Sequence, residues 1–216
     1  MNIFQLNQTP GLVHQILFQL RDPDTQRDRL RFKFNLTRLG FLLAAEIAKG
    51  LPTDLKPVQT VLGSTRIPLL QQAPVLVTVL RAGLAFYQGF ADAFDQADSG
   101  FIGAYRVESE GEPLEIALNY QALPDLTGRD LILIDPMLAT GQSLLKVWQN
   151  LSAYGQPRSV HIACAIAAPE GVALLQQQLP AQSSLWLGAL DQGLNGKAYI
   201  VPGLGDAGDL CFGSKL

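Results

Sequence analysis

The chain is poor in the residues that mark several common functional classes. It has two cysteines and two histidines in 216 residues. Cys164 lies inside an apolar run and Cys211 near the C-terminal end, without CxxC or His-rich spacing. That excludes a disulfide framework and a zinc-finger set, and makes both buried thiols the expectation. His14 and His161 have no second ligand at metal spacing, and no G-x-S-x-G occurs, so a metal cage and a catalytic triad both lack a basis. Charge is scarce too: Asp, Glu, Lys and Arg make up 16% of the chain, well below about a quarter in ordinary domains. The 16 basic and 19 acidic residues leave a net charge of −3, and no basic run occurs. A broad surface for nucleic acid or anionic lipid is therefore excluded, and any polyanion must be held locally. The longest apolar stretches, at 41–45 and 163–168, fall far short of the roughly 18 residues a membrane span needs. The first ten residues, MNIFQLNQTP, carry no signal-peptide pattern. A cytoplasmic protein of one domain over 1–216 is expected, with an N-terminal helical part at about 1–50.

Apolar residues, by contrast, are plentiful at 48%, enough for a sizeable core. Apolar spacing predicts helices over 11–20 and 25–49, stopped by Gly50 and Pro52. The stretch 56–74, punctuated by Pro57, Gly63, Pro68 and Pro74, reads as loop or edge strand. From Val75 short apolar runs at 75–80, 101–105, 131–135, 160–167 and 185–189 alternate with helical segments at 84–94, 143–154 and 170–179. Near-continuous apolar strands between amphipathic helices are what a parallel sheet covered on both faces requires, so the fold class is α/β. Ligands of such folds sit beyond the carboxyl ends of the strands.

Four segments stand at such ends. In LILIDPMLATGQS, 131–143, a strand delivers Asp135 and a short Thr/Gly/Ser loop opens a helix. Backbone N–H groups there, with the Thr140 and Ser143 hydroxyls, suit a phosphate, and Asp135 suits sugar hydroxyls. Read by itself, the same loop serves equally as a plain helix N-cap. In VLRAGL, Arg81 offers a planar donor fork and Gly83 permits close backbone approach, although a solvated strand-end arginine satisfies the same pattern. GAYR ends another strand with Arg106, before a polar stretch, 107–113, of the composition of a mobile loop. In YIVPGLGDAGD, 199–209, closely spaced glycines with Pro202 form an exposed-backbone loop that offers N–H and C=O groups to a flat ligand, or simply turns at the surface.

Taken together, these motifs resemble the uracil phosphoribosyltransferases, a family of type I phosphoribosyltransferases. The resemblance runs from Leu80 to Gly213 and more weakly through the N-terminal helices; DQGLN at 191–195 and AAPEG at 167–171 belong to it. It implies a type I core with a parallel sheet, helices on both faces, N-terminal helices and a small hood or flexible arm. It implies that Arg81 and Arg106 contact the diphosphate of 5-phosphoribosyl 1-diphosphate. Asp135, Pro136, Met137, Leu138, Ala139, Thr140, Gly141, Gln142 and Ser143 would hold its ribose and 5-phosphate. Uracil would be read by the backbone of Ile200, Gly205, Asp206 and Ala207, with Asp206 near the diphosphate or its Mg²⁺ and the nearest candidate for a catalytic base. Mg²⁺ would travel with the diphosphate, with no metal ligated directly by assigned side chains. Uracil and 5-phosphoribosyl 1-diphosphate would be the substrates and UMP the product. A homo-oligomer, GTP as activator, and neither nucleic acid nor membrane as partner complete the expectation.

Two departures accompany the resemblance. The family loop reads TGGS, whereas Gln142 stands at the second glycine; a positive φ there costs about 1 kcal/mol, while a helical position turns its amide into an extra donor. Ala44, Ala45 and Glu46 occupy positions where a tyrosine before the acid is expected. The rival reading is a phosphoribosyltransferase-like regulator that senses nucleotides without catalysis.

Overall fold

The computed structural model describes the backbone of residues 1–107 and 115–214, and their side chains except at 104–107 and 115–117. Strand β1 (Asn2–Gln5) is followed by helices α1 (Leu12–Arg21), α2 (Pro23–Gln26) and α3 (Arg29–Ala48). The expected long second helix is split in two because Asp22 caps α2 through Thr25 N–H and Asp28 caps α3 through Arg31 N–H. A hairpin of β2 (Thr53–Gln59) and β3 (Ser64–Leu70) comes next. Its prolines, Pro57 and Pro68, are tolerated because each strand of a two-stranded ribbon has a free edge.

The remainder is β4 (Val75–Leu80), α4 (Gly83–Ala93), β5 (Asp98–Val107), β6 (Glu115–Ala122), β7 (Asp130–Ile134), β8 (Met137–Leu138), α5 (Gln142–Leu151), β9 (Ser159–Ala167), α6 (Pro169–Gln178), β10 (Ser184–Leu190), β11 (Gly193–Leu194), β12 (Ile200–Val201) and α7 (Ala207–Phe212). The main sheet runs β1-β10-β9-β7-β4-β5-β6, parallel throughout except for the antiparallel β6. Alternate strand residues face two separate cores. Leu76, Ile132, Ile134 and Ala163 pack beneath α1, α3 and α4, while Val75, Val77, Leu131, Leu133 and Ile162 pack beneath α5 and α6. This double burial is why the strands read as continuous apolar runs. Edge strands β1 and β6 escaped the sequence reading because one is only four residues long and the other lies at an edge. Helices α3 and α4 cross in backbone contact at Gly40 and Gly89, and Thr37 Oγ1 donates to Ala85 O across the crossing at 2.9 Å. No described helix is long and apolar enough to cross a membrane.

Both cysteines are buried free thiols. Burial pushes the Cys211 thiol up to about 11, despite Lys33 and Arg29 nearby, and Cys164 well up. Neither is a nucleophile at neutral pH.

His161 belongs to a polar cluster at the amino end of the sheet. Trp186 Nε1 donates to His161 Nδ1 at 3.2 Å, and His161 Nε2 lies 3.1 Å from Ser159 Oγ, which is 2.6 Å from Asp130 Oδ1. An indole nitrogen only donates, so Nδ1 accepts and the ring is neutral. Burial lowers the His161 pKa below its ordinary 6.5, against the pull of Asp130. Burial raises the Asp130 carboxyl, but hydrogen bonds from Arg158 and Ser159 and the Arg158 charge outweigh it, leaving it below the ordinary 3.8. The folded state thus binds these two protons less readily than the unfolded chain. Stability is full above the unfolded values, falls as pH drops below 6.5 through His161, and falls again below 3.8 through Asp130. A melting-temperature series against pH is expected to show the upper step, and His161→Gln to remove it.

Candidate active site

From β4 the chain winds outward through β5 to β6, whereas β7, β9 and β10 wind the other way. The order therefore reverses between β4 and β7, and the crevice beyond their carboxyl ends is the topological switch point where open α/β sheets bind ligands. The VLRAGL and LILIDPMLATGQS segments meet there.

The segment after β7 is better anchored than a simple loop. Asp135 N–H donates to Ala163 O at 3.1 Å, and Pro136 O accepts Ala165 and Ile166 N–H at 3.0 and 3.1 Å. The chain then resumes pairing with β9 as β8, with Leu138 fully buried and Met137 packed on the core. Pro136, Met137 and Leu138 thus serve as anchors, and Asp135 Oδ1 accepts Met137 N–H at 3.2 Å. Gly141, at φ 81°, is the N-cap of α5, and no side chain caps that helix. The plain Thr/Ser cap is therefore not what forms: Thr140 Oγ1 only accepts Gln142 N–H at 3.4 Å. Gln142 is the first helical residue, exposed, and carries no left-handed penalty. The result is a helix N-terminus beyond the carboxyl end of β7 that its N-cap residue Gly141 leaves without a side-chain cap, with Thr140 and Ser143 beside it. Gly171 of α6 lies so close that a Cβ there would overlap Ala139 O and reach Leu138 Cγ at 3.0 Å.

At the β4 end, Gly83 is required by its neighbour: a Cβ would overlap Thr78 Oγ1, which donates to Ile134 O at 3.1 Å. Arg81 is exposed, with its guanidinium 3.3 Å from Asp209 Oδ1 and donating to Gly213 O at 3.2 Å. It therefore bridges the strand end to α7. Arg106 pairs with Ile116 in the β5–β6 ladder, and its side chain, like the stretch from 108 to 114, lies outside the described residues.

The glycine-rich segment lies beside the carboxyl end of β4. β12 pairs with β11, and Asn195 N–H donates to Tyr199 O at 2.9 Å. Leu194 and Ile200 therefore form the intervening pair without mutual hydrogen bonds, and Ile200 turns its N–H and C=O away from β11. Gly203 and Gly205 have φ of 62° and 90°. Asp206 Oδ1 caps α7 by accepting Asp209 N–H at 3.0 Å, and a Cβ on Gly208 would lie 3.9 Å from Ala82 Cβ, so this turn stands beside the Arg81 segment.

Sequence reasoning missed the side chains that hold this part of the chain, residues 191–207, which forms a small hood. Arg21, Gln26 and Glu170 bond to it, Glu170 Oε1 by accepting Leu194 N–H at 3.1 Å. Arg21, as the last residue of α1, carried only the signal of a cation at a helix C-terminus. Among the described residues no group of three His, Cys, Asp or Glu side chains gathers as a metal cage.

The family model described as uracil phosphoribosyltransferase matches residues 7–214. The curated uracil phosphoribosyltransferase of Porphyromonas gingivalis is 39% identical over 216 residues, covering 100% of both chains. That of Pyrococcus furiosus is 35% identical over 219 residues, covering 99% of this chain and 91% of its own. Among solved structures, the AQ2163 protein from Aquifex aeolicus matches with a TM-score of 0.83 at 32% identity over 99% of both chains. TT1426 from Thermus thermophilus, at a TM-score of 0.52 and 20% identity over 76% of this chain and 88% of its own, shares the fold.

Proposed function

Because the chain belongs to the uracil phosphoribosyltransferase family, we propose that the crevice between β4 and β7 seats 5-phosphoribosyl 1-diphosphate, with uracil under the hood. The enzyme transfers the 5-phosphoribosyl group to N1 of uracil, giving UMP and diphosphate. The observation that carries the site assignment is the uncapped N-terminus of α5 opening at the switch point.

In this reading the 5-phosphate lies on the N–H groups from Ala139 to Ser143, with the Thr140 hydroxyl and the Gln142 amide as further donors, and Asp135 faces the ribose hydroxyls. Arg81, close to Asp209, and Arg106 neutralise the diphosphate as it leaves. Displacement at C1 passes through an oxocarbenium-like state, so the protein's work is to align the two reactants and stabilise the departing charge, without a covalent nucleophile. Main-chain N–H and C=O groups of Ile200, Gly205, Asp206 and Ala207 face uracil O4 and N3–H. Cytosine, with an amino group and a bare N3, would leave those groups unpaired in a site that excludes water. Asp206 stands beside the reacting centre as the candidate base.

The donor set fits Mg²⁺ arriving on the diphosphate, because Mg²⁺ is commonly held by substrate phosphates and only one or two carboxylates; here Asp206 is the protein group that would meet it. When bound, Mg²⁺ neutralises developing charge on the leaving diphosphate. A homo-oligomer is part of the proposal, supported by the β2–β3 hairpin, whose Leu55, Val58, Ile67 and Leu69 are all exposed. Activation by GTP and a cytoplasmic location complete it. A regulator on the same fold has no observation in its favour.

The test is diphosphate release from 5-phosphoribosyl 1-diphosphate with each nucleobase in turn, with Mg²⁺ and with a chelator. Uracil is expected to support rapid release, cytosine at least about 100-fold less, and the chelator to abolish it. Release with a purine but not uracil would overturn the base assignment.

A further inference from the structure

We propose that Arg21 is a positioning residue for the base-reading backbone, acting through Asp191; the inference rests on the placement of uracil under the hood. At the centre of the hood's last turn Gly203 and Gly205 occupy positive φ and offer no side chains of their own to lock it. What locks it comes from the other end of the chain. Arg21 Nη1 and Nη2 donate to Asp191 Oδ2 and Oδ1 at 2.9 and 2.7 Å, the two-pronged geometry that fixes a guanidinium in orientation as well as distance. Nη1 also reaches Gly203 O at 3.3 Å, and Asp191 Oδ2 accepts Gly203 N–H at 2.9 Å, so one ion pair grips both polar groups of a single peptide-chain residue. The Asp191 side chain is only 5% exposed. One residue further on, Gln26 Nε2 donates to Leu204 O at 2.8 Å and is bonded as well to Leu20 O.

The middle of the turn, Gly203 and Leu204, is bonded inward to α1 and α2, while its two flanks, Ile200 on one side and Gly205 to Ala207 on the other, are the stretches assigned to uracil. The clamp therefore sets the spacing between the two halves of the base-reading surface without touching the base. Misplacement by a fraction of an ångström weakens hydrogen bonds to the ring edge and leaves the phosphate loop, built on β7, β9 and α6, undisturbed.

Steady-state kinetics of Arg21→Gln are expected to show the KM for uracil raised about tenfold or more, with the KM for 5-phosphoribosyl 1-diphosphate within about twofold of wild type. Arg21→Lys, which keeps the charge but not the fork, is expected to recover part of the loss. Asp191→Asn should reproduce it, and the double variant should cost no more than either single one. Should Arg21→Gln fail to fold, Asp191→Asn and Gln26→Met read the same split. Equal rises in both KM values, or fully additive losses in the double variant, would overturn the clamp. Gly205→Ala, which disturbs the turn directly, tests the base placement itself: an unchanged uracil KM there overturns that placement and the proposal with it. A raised value there beside an unchanged one in Arg21→Gln overturns the clamp only.

Discussion

Substitution of Gly171 by alanine is expected to lower kcat/KM about 100-fold, through the KM for 5-phosphoribosyl 1-diphosphate, while the enzyme stays folded. Gly171 lies on α6, outside the segments proposed to meet the substrate, yet its missing side chain sets where the loop from Ala139 to Gly141 runs. An added Cβ would overlap Ala139 O and press on Leu138 at 2.9–3.0 Å. Neither neighbour yields cheaply: Leu138 is fully buried and Leu138 O accepts Ala168 N–H at 2.8 Å, at the start of the same helix. Relief requires the Ala139 to Gly141 backbone to move by about 1 Å. If the N–H groups that follow hold the 5-phosphate as proposed, they then no longer converge on it, and a shift of that size in a preorganised anion site costs about two orders of magnitude. Calorimetric titration with 5-phosphoribosyl 1-diphosphate checks the loss of affinity, and a melting temperature within a few degrees of wild type separates it from unfolding. An unchanged affinity would show that the loop tolerates the shift and that its N–H groups do not meet the phosphate.

The largest loss of stability is expected from Gly89→Ala. A Cβ at this position would overlap Thr37 O and the Phe41 amide nitrogen and lie 2.9 Å from the Gly40 carbonyl carbon. All three are backbone atoms of α3, so no rotamer change relieves the clash and the two helices must separate. Separation also opens the packing of Phe86 and Phe90, both fully buried, and the Thr37 bond to Ala85 O. Overpacking of this kind costs about 3 kcal/mol, which in a domain of this size lowers the melting temperature by about 6–12 °C. Gly40→Ala, which would overlap Phe86 O and press on the Phe90 ring at 3.3 Å, is expected to act in the same direction. Thermal unfolding followed by circular dichroism measures both. Substrate KM values in the surviving folded fraction should stay near wild type, because the crossing lies beneath the sheet face and not at the strand ends.

These two glycine sites show what could be read in advance and what could not. Strands β4, β5, β7, β9 and β10 are legible because both faces of the sheet are buried there, so their continuous apolar runs stand apart from the amphipathic helices. The loop after β7 was legible because Asp135, Gly141 and the polar residues around them punctuate a strand-to-helix turn. At Gln142 the turn departs from the TGGS pattern without strain, because the positive φ falls one residue earlier, at Gly141. The β2–β3 hairpin was only half legible, since its prolines mimic a loop and its residues are almost wholly exposed. The close approaches of Gly89 to α3 and of Gly171 to Ala139 left no trace, because a glycine in a helix carries no mark of what it faces. Arg21 was invisible for a related reason: an ion pair between distant residues has no spacing.

That distance has a consequence for synthesis of the protein. Arg21 and Asp191 are separated by 170 residues, and Gln26 and Leu204 by 178. The loop after β7 has its neighbours on β9 and α6 once α6 has been made, but the hood meets its clamp only after Leu204 has left the ribosome. On the proposed assignment, a growing chain therefore acquires its anion pocket well before its base pocket. On that assignment, a product that ends short of the last glycine-rich turn is expected to capture phosphorylated sugar without being able to use it.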